Sequence, residues 1–396
     1  MTEGVYVGVR SERLGVVDAL RGFALLAIVL LHNLEHYNIY FNPESLPAWM
    51  QRVDAAVWDT LFFLFAGKAY ATFSLLFGFS FYIQMRNAER RGYDFRLRFA
   101  WRMLLLSLFA LLHSLFYNGD ILLLYAVAGL VLIAVCRVRE KWVLLIAAVC
   151  LLQPLEILRG VLSVCSPETV FPSGFFIPYA ERAYDAGVNG SLPEVLRSNI
   201  TDGILYSNLW QIEAGRLFQT PALFMLGMLL GRRGFFVKSD ESARFWKRAA
   251  VGAAVIFIPL YILRIRTEGM TEDGFFLFLF NEAYSLSNFA FMVLLVSLFT
   301  LAWFACDGYR WQRFIIPYGR MSLTNYIMQS AIGVSIYYSF GGGLYKYTGG
   351  TYTLLIGCAI FLLQLAFSRY WLSRHRQGPL EYLWKRGTWA GAKRRD

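Results

Sequence analysis

Long apolar segments recur along this chain and constrain its fold more than any other feature. A helix that crosses a bilayer needs about 20 largely apolar residues, and we count ten segments of this kind. They lie at about 16–40, 59–84, 98–117, 119–136, 142–164, 209–231, 246–265, 275–305, 317–340 and 350–372. Only 16% of the residues are charged, whereas soluble domains carry about 25%. The sequence therefore predicts an all-α, polytopic integral membrane protein.

Basic residues indicate how these segments are oriented, because lysine and arginine accumulate in cytoplasmic loops. They cluster in alternate connections and at both ends of the chain. The clusters lie at 10–13, 86–102, 137–141, 232–248, 310–320 and 393–395. This alternation predicts about ten transmembrane helices with both termini in the cytoplasm. Since the positive charges form short clusters between apolar segments, we assign the net charge of +11 to topology and expect no nucleic-acid partner.

The first apolar segment contains ionisable residues, which are expensive in lipid and usually serve a function. Asp18 and Arg21 are three residues apart, so they share a helical face at the predicted cytoplasmic end. His32 and His36 are four residues apart and share a face about 20 Å further along the helix. Histidine can accept and return a proton at neutral pH, which makes this pair a candidate for acid–base chemistry.

Later segments add further candidates for a site. Asp59 opens the second segment near its outer end. Lys68 lies close to the midplane, where a lysine must be paired, neutral or in contact with water; its partner would be Asp59, Asp18 or an anionic ligand. His113 and Asp120 flank the turn between the third and fourth segments, and they form either an orienting pair or a polar turn without chemistry. The remaining candidates are Arg102, Glu213, Arg216 and Asn325.

The sequence contains no signature of nucleotide binding, serine hydrolysis or zinc-dependent hydrolysis. Its four histidines have no carboxylate at metal-ligand spacing, so we predict no metal site. The candidate chemistry therefore depends on histidine and carboxylate side chains inside the membrane.

Several stretches resemble a known membrane family. Residues 17–24, Val-Asp-Ala-Leu-Arg-Gly-Phe-Ala, resemble the first-helix motif of the transmembrane acyltransferase superfamily, which includes the heparan-alpha-glucosaminide N-acetyltransferases. Residues 67–78, 119–126 and 319–381 resemble the second helix, the hairpin and the terminal domain of the YeiB-like family, whose biochemical function is mostly unassigned. The resemblance covers almost the whole chain, and the terminal motif is specific to the YeiB-like family.

The resemblance implies a division of the chain into two regions. Residues 1–305 would form an N-terminal acyltransferase-like transmembrane bundle with an external loop at 165–208. Residues 306–396 would form a C-terminal YeiB-family transmembrane region that ends in a basic cytoplasmic tail.

The resemblance also implies acyl transfer across the membrane. An acyl-CoA donor, acetyl-CoA first of all, would bind from the cytoplasmic side, and an extracytoplasmic hydroxyl or amine would accept the acyl group. Relatives use an asparagine on the first helix and an aspartate that opens the second, and Asn33 and Asp59 occupy the matching positions. Their catalytic histidine follows the first helix. The connection 41–58 has no histidine here, so His32 and His36 are the candidates.

We therefore predict an acyltransferase in which His36 or His32 acts as general base. Asp59 would orient the base, and Asn33 would hold the thioester carbonyl. A covalent acyl-histidine is an open alternative to direct transfer. The candidate substrate-binding residues are Asp18, Arg21, Lys68, Arg102, His113, Asp120, Glu213, Arg216 and Asn325.

The main alternative function is a proton-coupled transporter or flippase, in which the same histidine, aspartate and lysine residues form a proton relay. A third is a non-catalytic structural or sensory membrane protein. We expect the cytoplasmic membrane of a bacterium, contact with membrane lipid, and an acceptor that is a glycan, a lipid-linked molecule or a small molecule. The oligomeric state stays open, a homodimer included.

Overall fold

The computed structural model describes residues 14–41, 43, 46–166 and 173–390. All regular structure in these ranges is helical, which confirms the all-α prediction. The basic clusters at 10–13 and 393–395 lie outside the described residues.

Helices α1 to α9 occupy the N-terminal half of the chain. Their bounds are α1 Gly15–Leu34, α2 Ala48–Phe65, α3 Lys68–Glu89, α4 Arg96–Ser114, α5 Leu122–Val135, α6 Glu140–Leu151, α7 Pro154–Cys165, α8 Ile177–Asn189 and α9 Leu192–Ser198. The other bounds are α10 Ile204–Glu213, α11 Arg216–Arg233, α12 Asp240–Thr267, α13 Gly274–Cys306, α14 Arg310–Phe314, α15 Ile316–Arg320, α16 Ser322–Tyr337, α17 Gly350–Arg374 and α18 Pro379–Thr388. A π-helical turn, Asn199–Gly203, joins α9 to α10.

Within the described residues, six helices are long and apolar enough to cross a membrane, or seven if the bent pair α6 and α7 counts as one span. The six are Gly15–Leu34, Ala48–Glu89, Arg96–Ser114, Asp240–Met270, Gly274–Cys306 and Gly350–Arg374. In the apolar part of α1, 67% of the residues are buried, against 6% in α12. Helix α1 therefore lies at the centre of the protein, and α12 lies at its periphery.

The other predicted segments form short or interrupted helices in the structure. Helix α5 has 14 residues, which is too short to cross a bilayer without help from its flanks. The segment predicted at 209–231 is divided between α10 and α11, and α11 contains three arginines, Arg216, Arg232 and Arg233. The segment predicted at 317–340 is divided between α15 and α16 near Met321. These interruptions explain why a count of apolar residues gives more segments than the structure has long helices.

Glycines allow two helix pairs to cross at close range. A Cβ atom at Gly78 of α3 would clash with the Phe224 carbonyl oxygen of α11, and one at Gly227 of α11 would clash with the Leu75 carbonyl oxygen of α3. Small residues at such crossings let backbones approach closely in membrane proteins. Helices α1 and α15 meet in the same way, because a Cβ at Gly319 would clash with the Asp18 carbonyl oxygen.

We expect Gly227→Ala to destabilise the protein by about 1–3 kcal/mol or more. The added methyl group would clash with backbone atoms of α3, which cannot move aside by changing a side-chain rotamer. The measurement is the thermal unfolding temperature of the purified protein in detergent. Gly252→Ala on α12 is the matched control, since a Cβ there meets open space; it should leave stability unchanged or raise it slightly. Equal unfolding temperatures for the two variants would contradict the close crossing.

Candidate functional site

Three helix breaks lie around one cavity. Regular helix is interrupted between α2 and α3 at Gly67 and between α10 and α11 at Gly215, and the chain bends by 48° between α6 and α7 at Gln153. Gly67 and Gly215 have φ values of +76° and +70°, which favour glycine, and Gln153 has φ 44°. Irregular backbone at membrane depth is tolerated where it lines a cavity or is buried in protein. The breaks therefore mark this cavity as a built feature of the fold.

We call this cavity, of about 340 Å³, the histidine chamber. Its lining includes His32, Glu35, His36, Tyr70, Arg216 and Tyr326. Amide and hydroxyl groups from the helix breaks complete the wall: Gln153 donates to the Ser285 hydroxyl at 2.6 Å, and Gln219 donates to the same hydroxyl at 3.1 Å. The chamber thus combines aromatic rings, two imidazoles and hydrogen-bonding groups, which is a typical composition for a small-molecule site.

Three histidines converge on the ring of Tyr117. Its centroid lies 5.4 Å from the ring of His32, 5.8 Å from that of His36 and 5.4 Å from that of His113. Three buried polar atoms in this cluster have no hydrogen-bond partner among the described residues: His36 Nδ1, His113 Nε2 and the Tyr117 hydroxyl. Buried polar groups are nearly always satisfied, so unpartnered ones are expected where a ligand or water completes the site. The described His, Cys, Asp and Glu side chains form no group of three that could hold a metal ion.

His113 and Asp120 form the orienting pair that the hairpin spacing allowed. His113 Nδ1 lies 2.7 Å from Asp120 Oδ1, and both side chains are buried. The second carboxylate oxygen accepts the backbone N–H of Leu123 at 3.2 Å, at the start of α5. The His113 ring packs against Tyr326 with centroids 5.1 Å apart. Neither His113 nor Asp120 lines the chamber, but the His113 ring contacts Tyr326, which does.

Glu35 and His36 directly follow the end of the α1 span, at the chamber wall. The Glu35 carboxylate lies 3.7 Å from His36 Nε2. Both side chains line the chamber together with Arg216, so a carboxyl, an imidazole and a guanidinium border the same cavity.

The structure does not bring Asp59 and Asn33 to the histidines. Asp59 is exposed and lines a separate pocket with Asp54. It lies in the middle of α2, which begins at Ala48 and not at the predicted position 59. Asn33 is buried in α1, where its Nδ2 donates to the Val29 carbonyl at 2.7 Å and packs near Gly357 of α17. Neither side chain lines the histidine chamber.

Lys68 also lies outside the chamber lining. Its side chain is buried, and its Nζ lies 3.5 Å from the Phe62 carbonyl oxygen. The rings of Phe63 and Phe291 are 5.9 and 5.6 Å away, within cation–π range. Among the described residues no carboxylate lies within 4.0 Å of Nζ, so the structure pairs Lys68 with neither Asp59 nor Asp18.

Two further predicted residues have structural partners. Glu213 lines the histidine chamber and accepts the backbone N–H groups of Gly174 and Phe175 at 2.8 and 2.7 Å, which ties the segment before α8 to α10. Asn325 is fully buried, and its Nδ2 donates to the Tyr318 carbonyl at 3.1 Å and to the Ser368 hydroxyl at 2.9 Å. Asn325 therefore joins α15, α16 and α17 and lines neither chamber.

A second cavity, of about 270 Å³, lies on the other side of the histidine chamber wall. We call it the arginine chamber, and its lining includes Arg21, Ser80, Arg102, Arg320, Glu381 and Trp384. Arg21 pairs with Asp18 at 2.7 Å, as their spacing predicted. The Arg102 guanidinium lies 3.5 Å from the Trp384 ring centroid, which connects α4 to the C-terminal helix α18. Phe73 and Phe77 supply apolar wall to the same cavity.

The two chambers share part of their lining. Ile28, Tyr70, Ile121 and Tyr326 line both cavities. We call these four residues the partition. They come from α1, α3, the hairpin before α5, and α16. The Tyr326 hydroxyl is buried and donates no hydrogen bond to any described residue. A ligand group in either chamber is therefore separated from the other chamber by one layer of side chains.

Comparison with known proteins identifies relatives over nearly the full length of the chain. The model of a family described as "Protein of unknown function (DUF418)" matches residues 230–391. The uncharacterized protein YxaH of Bacillus subtilis (strain 168) is 28% identical over 405 residues, which cover 96% of this chain and 95% of YxaH. The uncharacterized protein YeiB of Escherichia coli (strain K12) is 27% identical over 391 residues, which cover 95% of this chain and 96% of YeiB. The chain is similar to YeiB-like proteins over nearly its whole length.

An uncharacterized 39.9 kDa protein in the amylase 3' region of Bacillus acidopullulyticus is also similar to this YeiB-like chain, at 27% identity over 404 residues. That alignment covers 96% of this chain and 94% of the relative. No solved structure matches the chain. The region matched by the family model contributes Arg320, Tyr326 and Trp384 to the arginine chamber, while His32 and His36 precede this region.

Sequence reasoning missed the aromatic residues of this YeiB-like site. Tyr70, Tyr117 and Trp210 look like ordinary membrane-segment aromatics in a chain with 17% aromatic residues. Two weak signals existed: Tyr117 directly precedes the polar hairpin turn, and Tyr326 ends the motif that starts at Gly319. Neither signal indicates which aromatic rings face a cavity.

Proposed function

We propose that this YeiB-like protein is a membrane acyltransferase. An acyl-CoA, with acetyl-CoA as the first candidate, would bind in the arginine chamber, and a hydroxyl or amine acceptor would bind in the histidine chamber. The observation that carries the proposal is the partition: two cavities of different chemistry share four lining residues. Two substrates held on either side of one layer of side chains can react without crossing the membrane, because small movements of that layer bring them into contact.

The proposal includes a topology. We retain ten membrane segments, with the broken helices α6–α7, α10–α11 and α15–α16 each serving as one, and with both termini in the cytoplasm of a bacterium. Basic loops favour that side. In this orientation the arginine chamber opens toward the cytoplasm, where acyl-CoA is made, and the histidine chamber opens toward the other face.

The donor would be held by charge and by apolar contact. Arg21, Arg102 and Arg320 line one chamber, and arginine binds phosphate oxygens in a bidentate way. The rings of Phe73 and Phe77 offer an apolar wall for the pantetheine chain. The thioester would then lie at the partition, next to the Tyr326 hydroxyl.

In the proposed reaction His32 is the general base. Its ring lines the histidine chamber with its centroid 6.3 Å from that of Tyr326, and its Nδ1 lies 3.3 Å from the Tyr37 hydroxyl. His32 takes the proton of the acceptor hydroxyl as the acceptor oxygen attacks the thioester carbonyl carbon. A carbon–oxygen bond forms and the carbon–sulfur bond breaks. The imidazolium returns the proton to the leaving CoA thiolate, so free CoA and an acyl ester are the products.

Acetyl-CoA binding to the purified full-length protein tests the donor site. We expect Arg102→Gln to weaken binding about tenfold or more, since a charge-assisted hydrogen bond contributes about 1.5–3 kcal/mol. Arg137→Gln is the matched control, because Arg137 is exposed, pairs with Asp94 and lines neither chamber. Labelled acetyl-CoA measures binding and the release of CoA. No binding at millimolar acetyl-CoA would overturn the proposal.

The partition also favours a second candidate, the proton-coupled transporter or flippase. In that case the four shared residues would form a gate between the two chambers, and Glu35 and the histidines would carry the proton. Reconstituted vesicles distinguish the two functions. A transporter moves its substrate without any acyl donor, whereas the acyltransferase consumes acyl-CoA in proportion to the product.

A further inference from the structure

Arg216 is held in an unusual position in the histidine chamber. Its guanidinium carbon lies 4.3 Å from the ring centroid of Tyr70 and 4.2 Å from that of Trp210, so two aromatic rings fix it. No described residue accepts a hydrogen bond from it, and none forms an ion pair with it within 4.0 Å. Arginine carries five N–H donors in a planar fork. A fork that is fixed by rings and makes no hydrogen bond to the described part of the chain is preorganised for a ligand.

The carboxylates of the chamber are engaged elsewhere. Glu213 accepts two backbone N–H groups. Glu156 accepts Arg159 at 2.9 Å and Asn281 at 3.1 Å. Glu35 lies 3.7 Å from His36 Nε2. The permanent positive charge of Arg216 is therefore not neutralised by direct contact with any of the three.

We infer that the histidine chamber binds a ligand through an anionic group, a carboxylate or a phosphate, that forms a bidentate contact with Arg216. That the ligand is the acyl acceptor rests on the proposed function; the anion site itself does not. Planar guanidinium matches carboxylate and phosphate geometry, which lysine does not. The hydroxyl or amine of the same molecule would then reach toward His32. Tyr70 both stacks on Arg216 and belongs to the partition, so it links anion binding to the reacting end.

The test measures thermal unfolding of the full-length protein with inorganic phosphate as the probe, in phosphatidylcholine nanodiscs at constant ionic strength. A second arm replaces phosphatidylcholine by phosphatidylglycerol, without phosphate. We expect stabilisation of the wild type, and an apparent Kd at least about tenfold weaker in Arg216→Gln. Arg182→Gln is the matched control, because Arg182 also stacks on a tyrosine, Tyr179, but pairs with Asp202 and lies outside the chamber.

Stabilisation by phosphate that depends on Arg216 indicates a soluble anionic ligand, and stabilisation only by phosphatidylglycerol that depends on Arg216 indicates a lipid headgroup. A wild type that responds to neither overturns the inference. An Arg216→Gln variant that responds fully also overturns it when both proteins carry Arg102→Gln, which weakens phosphate binding in the arginine chamber. If Arg216→Gln fails to fold, Arg216→Lys keeps the charge without the fork and should respond more weakly than the wild type. Because no acyl donor is present, phosphate binding without acetyl-CoA binding would overturn the proposed function alone.

Discussion

His32→Ala is expected to reduce acyl transfer by about 10²–10⁴-fold, the usual contribution of a general base. Acetyl-CoA binding should change little, because His32 lines the histidine chamber and not the arginine chamber. The measurement is single-turnover release of CoA from bound acetyl-CoA, with an acceptor identified by screening anionic alcohols and amines. A loss of turnover with retained donor binding separates a catalytic defect from a folding defect.

The chain provides a matched control for this experiment. His375 is exposed, stacks on Trp371 with centroids 4.1 Å apart and lines neither chamber. His375→Ala should therefore transfer at the wild-type rate. His36→Ala is the informative third variant, since His36 shares the chamber with His32. Full activity in His32→Ala together with lost activity in His36→Ala would show that His36, and not His32, is the general base.

The central helix and its polar residues could be predicted from the sequence. Asp18 and Arg21 are three residues apart in a predicted helix and therefore share a face, and in the structure they form an ion pair. The hairpin turn placed His113 near Asp120, and they are hydrogen bonded. In each case the two residues are close in the chain, so helix periodicity or a short turn determines their distance. Local geometry of this kind needs no knowledge of how helices pack.

Longer-range features of the site could not be predicted. The sequence places Asp59 near the histidines because it opens the second apolar segment, predicted at 59–84, and because the family resemblance implies an aspartate at that position. The structure starts α2 at Ala48, and this register exposes Asp59. The bend at Gln153 has one signal, the following Pro154, which disfavours a helical residue before it. Nothing in one sequence indicates that this bend lies beside Gly67 and Gly215.

The partition is likewise a product of tertiary packing. Tyr326 follows Tyr70 by more than half of the chain, yet both line the same two cavities. A helix-based argument assigns each tyrosine to a face of its own helix, but it does not determine which faces meet. The structure thereby replaces the predicted pairing of His36 with Asp59 by a different one, in which His32 faces the chamber close to Tyr326.

Tyr326→Phe is expected to reduce turnover by about 10²-fold, the effect of removing one donor to a developing oxyanion. The Tyr326 hydroxyl donates to no described residue, although it is buried at the partition. In the proposed reaction it donates to the thioester carbonyl oxygen, which becomes negatively charged as the acceptor attacks. Phenylalanine keeps the ring contacts with His32 and His113. Acetyl-CoA binding and thermal stability should therefore be retained.

Tyr337→Phe is the matched control on the same helix. Its hydroxyl is also buried and without a partner among the described residues, but Tyr337 lines neither chamber. Since loss of an unpartnered buried hydroxyl removes a desolvation cost, both variants should unfold at the wild-type temperature or slightly above it. Only Tyr326→Phe should lose turnover. If both variants transfer at the wild-type rate, the hydroxyl at the partition has no part in the chemistry, and the two chambers would then be better explained as the two sides of a transport gate.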